Sequence, residues 1–327
     1  MAMERIAVEN HGATVDVDNH TLLAEYERDV ETMGLTDRTI ANYMSSLRTF
    51  SRFISKPFPQ VDIDDLRNFL RYLSKQEHRG KPFSPKTISR YFSSIDSLYS
   101  YLEFEKYVPK SIVPEFRKRY LSHLRKRGNN HSQSERQLIS VEQMRQLVNS
   151  ILDPRDRAVV VLLAKTGVRR AELINMDINS IDWIEQKIRL KDTPKRSFNY
   201  AFFDDECSRV LKRWMLSRET WPKKDEMALF LNERGGRLNR NGIYELVTKH
   251  AGKARFHDPD STELKDRFTP HCCRHWFTTW LLRNGMAREY VKELRGDSRR
   301  EAIDIYHHID EEDLRRAYIS CIPKLGL

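Results

Sequence analysis

The spacing of apolar residues restricts this chain to a mainly helical fold. From Thr21, apolar side chains recur three and four residues apart in four successive segments, which is the period of amphipathic helices that share a core. Gly34 ends the first segment and Thr36 opens the second, while Ser84 followed by Pro85 opens the fourth. Serine, threonine and proline are favoured at helix starts and glycine just beyond helix ends, so these positions predict separate helices.

The length of 327 residues predicts about two domains. Residues 1–19 lack apolar periodicity and are predicted to be a flexible N-terminal tail. Residues 20–128 are predicted to form a small all-helical domain, and the polar residues 129–139 a linker. Residues 140–327 are predicted to form a second domain that ends in a tail helix.

The second domain combines helices with one small sheet. Ser140 is the predicted cap of its first helix, with Gln143 in the capping-box position. The segment from Ile181 to Phe203, with a turn at residues 192–194, carries the alternation of a hairpin or a three-stranded sheet. Further helices are predicted over residues 204–218, 239–251, 274–283, 287–294 and 310–320. The predicted fold class is therefore mainly α with a small antiparallel β-sheet.

The charge of the chain favours a polyanionic partner. The formal net charge is +10, and between Arg117 and Gly128 six of twelve residues are cationic and none is acidic. Such a run is often only a solvated surface, but here it borders a linker in a basic chain. We therefore predict contacts with the DNA backbone at Arg117, Lys118, Arg119, Arg125, Lys126 and Arg127.

Several classes of protein do not fit the sequence. No run of about 18 apolar residues is present, and the polar N-terminus has no apolar signal region, so we expect a cytoplasmic protein without a membrane span. The cysteines are scattered and are interpreted as reduced thiols: Cys207, Cys272, Cys273 and Cys321. The segment from His271 to His275 lacks the second ligand pair of a zinc site, so we expect no metal.

Two arginine clusters and a downstream tyrosine are the candidates for chemistry. The clusters are Gly167-Val-Arg-Arg-Ala-Glu-Leu173 and Pro270-His-Cys-Cys-Arg-His275, and Tyr306 lies in Ile303-Asp-Ile-Tyr-His-His-Ile309. Arginine binds phosphate through a planar fork and stays charged at any working pH. Each arginine taken singly could be a surface residue. Two arginine clusters and a histidine followed by a tyrosine suggest a nucleophile that attacks DNA.

These segments resemble the three boxes of the tyrosine recombinases of the phage integrase type. Thr166 to Leu173 is similar to the first arginine box, and Thr269 to Gly285 is similar to the second box with its His-x-x-Arg core. Tyr290 to Tyr306 is similar to the third box. The helical first domain resembles the core-binding domain of the family, so the resemblance covers about residues 20 to 320, with a Xer-like or archaeal integrase-like member as the nearest type.

The resemblance implies a site-specific DNA recombinase that cleaves and rejoins duplex DNA through a 3′-phosphotyrosyl intermediate. Arg169 and Arg274 would hold the scissile phosphate. His271 would hydrogen-bond a phosphate oxygen and assist proton transfer, and Tyr306 would be the nucleophile. Glu172 would contact Arg169, and not the phosphate, and would orient its guanidinium.

Three roles near these boxes are left with alternatives: the proton donor, the nucleophile and the residue at position 297. The catalytic lysine of the family lies on a β-hairpin and protonates the leaving 5′-oxygen; Lys195, at the predicted turn, is the first candidate and Lys191 the alternative. Tyr318 is a rival nucleophile, but its spacing from the third box is wrong. Asp297 stands where the third box usually has histidine or tryptophan. It is predicted to play a supporting role by pairing with Arg274, Arg295 or Arg299, or by accepting a hydrogen bond from the tyrosine hydroxyl.

The resemblance also implies the partners. These are double-stranded DNA and further copies of the chain, with a dimer at each site and a tetramer in synapsis. Neither a metal nor a nucleotide cofactor is expected. The helix at residues 310–320 would dock on a neighbouring protomer. Exposed candidates for reading DNA bases are Arg38, Asn42, Lys86 and Arg90. The alternatives are a type IB topoisomerase-like enzyme that relaxes DNA and a DNA-binding regulator that has lost catalysis.

Overall fold

The structure is a computed structural model that describes residues 18–78, 80–122, 137–192, 196, 198–261, 263–297 and 309–327. The chain divides into two units, Met1–Gln133 and Ser134–Leu327. Each unit has an apolar core of its own. Most of the predicted tail and most of the predicted linker lie outside the described residues.

The first unit contains the four predicted helices in the predicted order. Its helical elements are α1 (Asn19–Thr32), α2 (Asp37–Phe53), a 3-10 turn (Phe58–Gln60), α3 (Ile63–Lys75), α4 (Pro85–Phe104) and α5 (Val113–Phe116), which continues into a π-helical turn (Arg117–Leu121). The side chains of Thr36 and Ser84 cap α2 and α4, as predicted. Helix α1 begins two residues before Thr21 because Asp18 caps it.

The prediction that this unit is entirely helical is wrong at one turn. Strands β1 (Glu77–His78) and β2 (Lys81–Pro82) form a short antiparallel pair between α3 and α4, with Glu77 opposite Pro82. Gly80 has a φ of +71°, which lets the chain reverse over so few residues. Two-residue strands are too short to produce an alternation that the sequence could reveal.

The second unit is built around one buried helix. Its elements are α6 (Val141–Asn149), α7 (Pro154–Thr166), α8 (Arg170–Ile174), a 3-10 turn (Ile178–Ser180), β3 (Ile181–Asp182), β4 (Lys187–Arg189), β5 (Tyr200–Phe202), α9 (Asp205–Arg218), α10 (Arg240–Lys253), a 3-10 turn (Leu264–Asp266), α11 (Pro270–Arg283), α12 (Arg288–Arg295) and α13 (Glu311–Cys321). Ten of the 13 residues of α7 are buried, and α9 and α11 pack against it. A helix covered on several sides needs no polar face, which explains its nearly continuous apolar sequence.

The predicted helix cap at Ser140 and the predicted small sheet of this unit are confirmed. Ser140 Oγ accepts a hydrogen bond from the N–H of Gln143 at 3.0 Å, and Gln143 Oε1 accepts one from the N–H of Ser140 at 2.8 Å. Strands β3, β4 and β5 form the predicted three-stranded antiparallel sheet. Ile184 lies in the turn between β3 and β4 and is 87% exposed, so it is not one of the buried strand residues. Among the helices that the structure describes, none is long and apolar enough to cross a membrane.

The C-terminal segment packs on its own unit. Leu314 and Tyr318 of α13 are buried against α11, and the Tyr318 hydroxyl donates to the backbone oxygen of Lys165 at 2.9 Å. The apolar face of this helix is covered within the chain in this structure, and its docking on a neighbouring protomer stays a prediction. Burial also raises the pKa of Tyr318 well above its ordinary value, so this residue is unsuited to be the rival nucleophile.

A buried ion cluster fixes the last residues of the chain. The ammonium group of Lys165, whose side chain is fully buried, lies 2.7 Å from Asp204 Oδ2 and 2.6 Å from Glu206 Oε2. It also donates to the backbone oxygen of Pro323 at 2.7 Å. The other oxygen of Glu206 accepts the backbone N–H of Gly326 at 2.6 Å. The chain end is therefore part of the core of this unit.

Candidate active site

Helix α11 brings His271 and Arg274 onto one helical turn. The predicted start at residue 274 is wrong, because the helix begins at Pro270, a residue favoured at the first helical position. The N–H of Thr269 donates to Cys272 Sγ at 3.3 Å and closes this first turn. His271 is exposed and Arg274 is only 6% exposed. The histidine thus lies at the protein surface directly beside a buried arginine.

The guanidinium of Arg274 is held by two backbone carbonyl groups. Its Nη1 donates to the Gly167 oxygen at 2.6 Å and its Nη2 to the Arg295 oxygen at 2.9 Å. Nη2 also lies 3.2 Å from Asp297 Oδ1. Burial, together with the positive charges of Arg169 and Arg295, lowers the pKa of Arg274 to about 10, so the group stays charged at neutral pH.

The guanidinium of Arg169 also contacts Asp297. Glu172 accepts the backbone N–H of Arg169 at 2.6 Å and its Nη1 at 2.9 Å, which is the contact that the predicted orienting role requires. The Nη2 of Arg169 reaches the Gly296 oxygen at 3.4 Å and Asp297 Oδ1 at 3.1 Å. Although burial raises the pKa of Glu172, the charges of Arg196 and Arg169 hold it below its ordinary value.

Arg196 is a member of this cluster that the sequence analysis missed. Its side chain is completely buried, and its Nη1 donates to Glu172 Oε1 at 3.0 Å. Its Nη2 donates to the backbone oxygens of Leu294 at 3.1 Å and Tyr200 at 3.2 Å. Burial lowers the pKa of Arg196, and the negative charge of Glu172 opposes this shift. In the sequence it is simply the neighbour of Lys195 near a turn, and no local signal distinguishes it.

Two helix C-termini hold these arginines. Gly167 and Gly296 cap the C-termini of α7 and α12, and carbonyl oxygens at these two ends accept hydrogen bonds from Arg169, Arg196 and Arg274. The C-terminus of a helix carries a partial negative charge that favours cations. Because a carbonyl group is a dipole without net charge, it can orient a guanidinium and leave its positive charge available to a ligand.

Both helices require glycine at these ends. Gly167 and Gly296 have φ angles of +60° and +58°, a region that residues with a Cβ rarely adopt. A Cβ at Gly296 would lie 2.4 Å from Arg196 Cγ. A Cβ at Gly167 would lie 2.3 Å from Phe277 Cδ1. Close packing thus adds to the backbone requirement at each position.

Replacement of Gly296 by alanine is expected to weaken both the fold and the site. The left-handed backbone alone should lower the free energy of unfolding by about 1–2 kcal/mol, and the contact with Arg196 should add to this loss. Urea denaturation measures the effect. Gly285→Ala is the matched control, since Gly285 has a φ of +89° and a Cβ at that position would meet no atom within 4 Å. Equal losses in the two variants would mean that the contact with Arg196 contributes nothing.

Asp297 lies where the two predicted phosphate-binding arginines meet. Its Oδ1 contacts both Arg169 and Arg274, and its Oδ2 lies 3.1 Å from Arg295 Nε. The predicted pairing with Arg274 and Arg295 is confirmed, whereas Arg299 lies outside the described residues. The side chain is 30% exposed. The carboxylate therefore lies at the point where a bound phosphate would be expected.

Of the remaining site candidates, the structure describes Lys191 but not Lys195 or Tyr306. Lys191 is 60% exposed and forms a long ion pair with Asp177 Oδ2 at 3.5 Å. The other candidate lysine, Lys195, and the predicted nucleophile, Tyr306, lie outside the described residues. So do three cations of the basic run: Arg125, Lys126 and Arg127. Their roles stay predictions.

The first unit presents most of its described DNA-contact candidates to solvent. Exposed side chains on α2, α4 and the π-helical turn are Arg38, Asn42, Lys86, Arg90, Lys118 and Arg119. Arg117 differs, because its guanidinium is half-buried, ion-paired with Asp96 and bonded to Ser93 Oγ at 3.1 Å. In this structure Arg117 stabilises the first unit, so its predicted contact with DNA would require that pair to open.

Comparison with known proteins identifies the family. Residues 137–313 match the sequence model of the phage integrase family, and residues 22–108 match that of the phage integrase N-terminal SAM-like domain. The tyrosine recombinase XerC of Bacillus subtilis (strain 168) is 30% identical over 299 residues, which cover 88% of this chain and 90% of that protein. The chain therefore belongs to the phage integrase family of tyrosine recombinases, and the predicted family is confirmed.

Solved structures of two recombinases have a fold similar to that of this chain. XerH site-specific recombinase bound to palindromic difH substrate aligns with a TM-score of 0.64 and 19% identity, covering 93% of this chain and 90% of that one. A lambda integrase dimer bound to a COC′ core site aligns with a TM-score of 0.64 and 15% identity, covering 90% and 98%. At these identities the likeness concerns the fold.

Proposed function

We propose that this protein is a site-specific DNA recombinase that cuts and rejoins duplex DNA through a 3′-phosphotyrosyl bond. Family membership supports the reaction class and favours it over a topoisomerase or an inactive regulator. The observation that carries the proposal is the convergence of Arg169 and Arg274 on a single oxygen, Asp297 Oδ1, at 3.1 and 3.2 Å. In the reaction, that position would be taken by an oxygen of the scissile phosphate.

The arginines would stabilise the charge that develops on phosphorus. Attack on a phosphodiester produces a five-coordinate phosphorus with one more negative charge than the substrate. Fixed donors that face such charge are typically worth about 10²–10³-fold in rate each. Arg169 and Arg274 are held in place before DNA binds, by Glu172 and by backbone carbonyl groups. His271, exposed on the same helical turn as Arg274, would bond a second phosphate oxygen and assist proton transfer.

Tyr306 would supply the nucleophile. Its phenol oxygen forms a bond to phosphorus while the bond from phosphorus to the 5′-oxygen breaks, and a proton from a lysine neutralises that leaving oxygen. A phenol has a pKa of about 10, so the cationic cluster must favour its deprotonation. The phosphotyrosyl bond conserves the energy of the cleaved bond, and attack by the 5′-hydroxyl of another strand rejoins the DNA without a nucleotide or a metal.

Two lysines remain candidates for the proton donor, Lys195 first and Lys191 second. The ion pair between Lys191 and Asp177 is long and the lysine side chain is 60% exposed, so the pair contributes little. Its ammonium group could therefore leave Asp177 for a DNA oxygen at low cost. Separate alanine variants of the two lysines, assayed on a substrate with a good leaving group at the 5′ position, would identify the donor, because only loss of the donor is rescued there.

We further propose that the protein binds duplex DNA as an oligomer, with a dimer at each site and a tetramer in synapsis. Support comes from the lambda integrase structure, which is a dimer on its core site, and from the net charge of +10 of this chain. Arg38, Asn42, Lys86 and Arg90 are the candidates for reading bases from the first unit. Cations that neutralise phosphates release counterions, so the affinity should fall steeply with salt.

Loss of the phenol hydroxyl is expected to abolish the covalent step. Wild-type protein mixed with nicked duplexes of randomised sequence should form an adduct that survives SDS, and sequencing of the trapped DNA should reveal the site. Tyr306→Phe should form no adduct and should bind the selected site as well as wild type does. Tyr318→Phe is the control and should retain the adduct. An adduct in Tyr306→Phe would contradict the assignment, and joining between two different duplexes would separate recombination from simple relaxation.

A further inference from the structure

We propose that Asp297 is a displaceable internal anion, which occupies the phosphate position between Arg169 and Arg274 until a correctly placed DNA phosphate replaces it. This inference rests on the proposed function, since it assumes that these arginines bind the scissile phosphate. It goes beyond a supporting role, because it makes the carboxylate a competitor of the substrate.

Toward the described residues, the two carboxylate oxygens make separate contacts. Oδ1 accepts from Arg169 Nη2 and Arg274 Nη2, the two groups that a phosphate oxygen would need. Oδ2 lies 3.1 Å from Arg295 Nε, on the other side of the carboxylate. A phosphate could therefore take over the first contact while Asp297 keeps its charge paired with Arg295.

The backbone at this point is fixed, so displacement needs only a side-chain movement. Gly296 ends α12 in the left-handed conformation, and the N–H of Asp297 donates to the Lys292 oxygen at 3.2 Å. The Asp297 side chain is 30% exposed and can rotate toward solvent. By contrast, Glu172 is 9% exposed and contacts both Arg169 and Arg196, so it has no such freedom.

The balance of charges explains why an anion between Arg169 and Arg274 stabilises the site when DNA is not bound. The guanidinium groups of Arg169, Arg196, Arg274 and Arg295 face the carboxylates of Glu172 and Asp297. Among the residues that the structure describes, four positive charges thus meet two negative ones, and without Asp297 they would meet one. Repulsion among like charges at such short range is strong. Asp297 keeps Arg169 and Arg274 converged when no phosphate is present.

The contact of Asp297 with the two arginines also makes the binding of a phosphate depend on how the phosphate is positioned. A free phosphate, or a DNA phosphate that the rest of the protein does not position, must displace the carboxylate from both arginines. A phosphate in the correct site is brought there by many other contacts and displaces it readily. Asp297 should therefore lower the affinity for stray anions more than the rate on the correct site, and so improve discrimination.

The test uses the full-length protein and inorganic phosphate as the probe, without DNA. Asp297→Asn keeps the shape of the side chain and removes its charge, so the dissociation constant for phosphate should fall about tenfold, measured by titration calorimetry or by the shift in thermal unfolding. Glu289→Gln, an exposed charge change on α12, the helix that precedes Asp297, should leave the dissociation constant unchanged. Asp297→His, assayed above pH 7.5, is a second variant that should act in the same direction.

A second measurement links the anion to discrimination. The ratio of covalent adduct on the selected site to adduct on unrelated duplexes should fall by several-fold in Asp297→Asn. Unchanged phosphate affinity in both Asp297 variants would overturn the proposal, whatever their cleavage rates. If the wild-type protein formed no adduct while Asp297→Asn still bound phosphate more tightly, the proposed recombinase function would fail and the internal anion would stand.

Discussion

Replacement of Arg274 by lysine is expected to slow strand cleavage by about 10³-fold. The guanidinium uses one nitrogen for the Gly167 oxygen and another for Arg295 and the phosphate position. Lysine carries the same charge at a single point, so it cannot make these bonds together. Under single-turnover conditions, the rate of adduct formation on a nicked duplex carrying the selected site measures the loss.

The control for this variant lies on the same helix. Arg283 is exposed, and its guanidinium lies over the Trp280 ring at 4.9 Å, so Arg283→Lys should cleave at nearly the wild-type rate. Thermal unfolding and binding to uncleaved DNA should show that Arg274→Lys is folded and reaches its substrate. Cleavage by Arg274→Lys within tenfold of wild type would mean that charge alone is required at this position.

The second large effect concerns the stability that the buried ion cluster of Lys165 contributes. Replacement of Lys165 by methionine should lower the free energy of unfolding by about 3–5 kcal/mol, because it leaves the carboxylates of Asp204 and Glu206 buried without their shared cation. Methionine preserves most of the apolar stem, so the loss reports on the charge. Urea denaturation with an activity-independent probe, such as tryptophan fluorescence, measures it.

Lys324→Met provides the matched control, because Lys324 also contacts Asp204 Oδ2, at 3.3 Å, but is 58% exposed. Its loss should change the stability by less than about 1 kcal/mol. A Lys165→Met variant that is as stable as Lys324→Met would contradict the assigned importance of the buried cluster. Neutralising Asp204 and Glu206 in the Lys165→Met background should recover part of the stability, since no unpaired charge would remain.

The same cluster predicts the direction of the pH dependence. Burial raises the pKa of Glu206, but the N–H of Leu325 and the ammonium of Lys165 outweigh it and lower this pKa from 4.5 to about 2. The unfolded chain therefore binds this proton more readily than the folded chain does. The stability contributed by Glu206 is present above about pH 4.5 and is lost as the pH falls toward 2.

The sequence was most informative where structure depends on neighbouring residues. Thr36, Ser84 and Ser140 cap their helices through bonds within one turn, so the sequence alone places these starts. The site was predictable only in part. Arg196 joins it through carbonyl oxygens about a hundred positions away, which no local pattern encodes. Helix α11 begins four residues before the predicted start, because proline at position 270 is favourable at the first helical position.

The carbonyl groups at the end of α12 belong to the backbone, and this affects how the site tolerates change during evolution. A substitution in α12 that leaves the helix intact cannot remove these hydrogen-bond acceptors, whatever side chain it introduces. Insertion or deletion of one residue before Gly296 would instead rotate them by about 100° and misdirect Arg169, Arg196 and Arg274 together. The length of this helix is therefore expected to be under tighter selection than its composition.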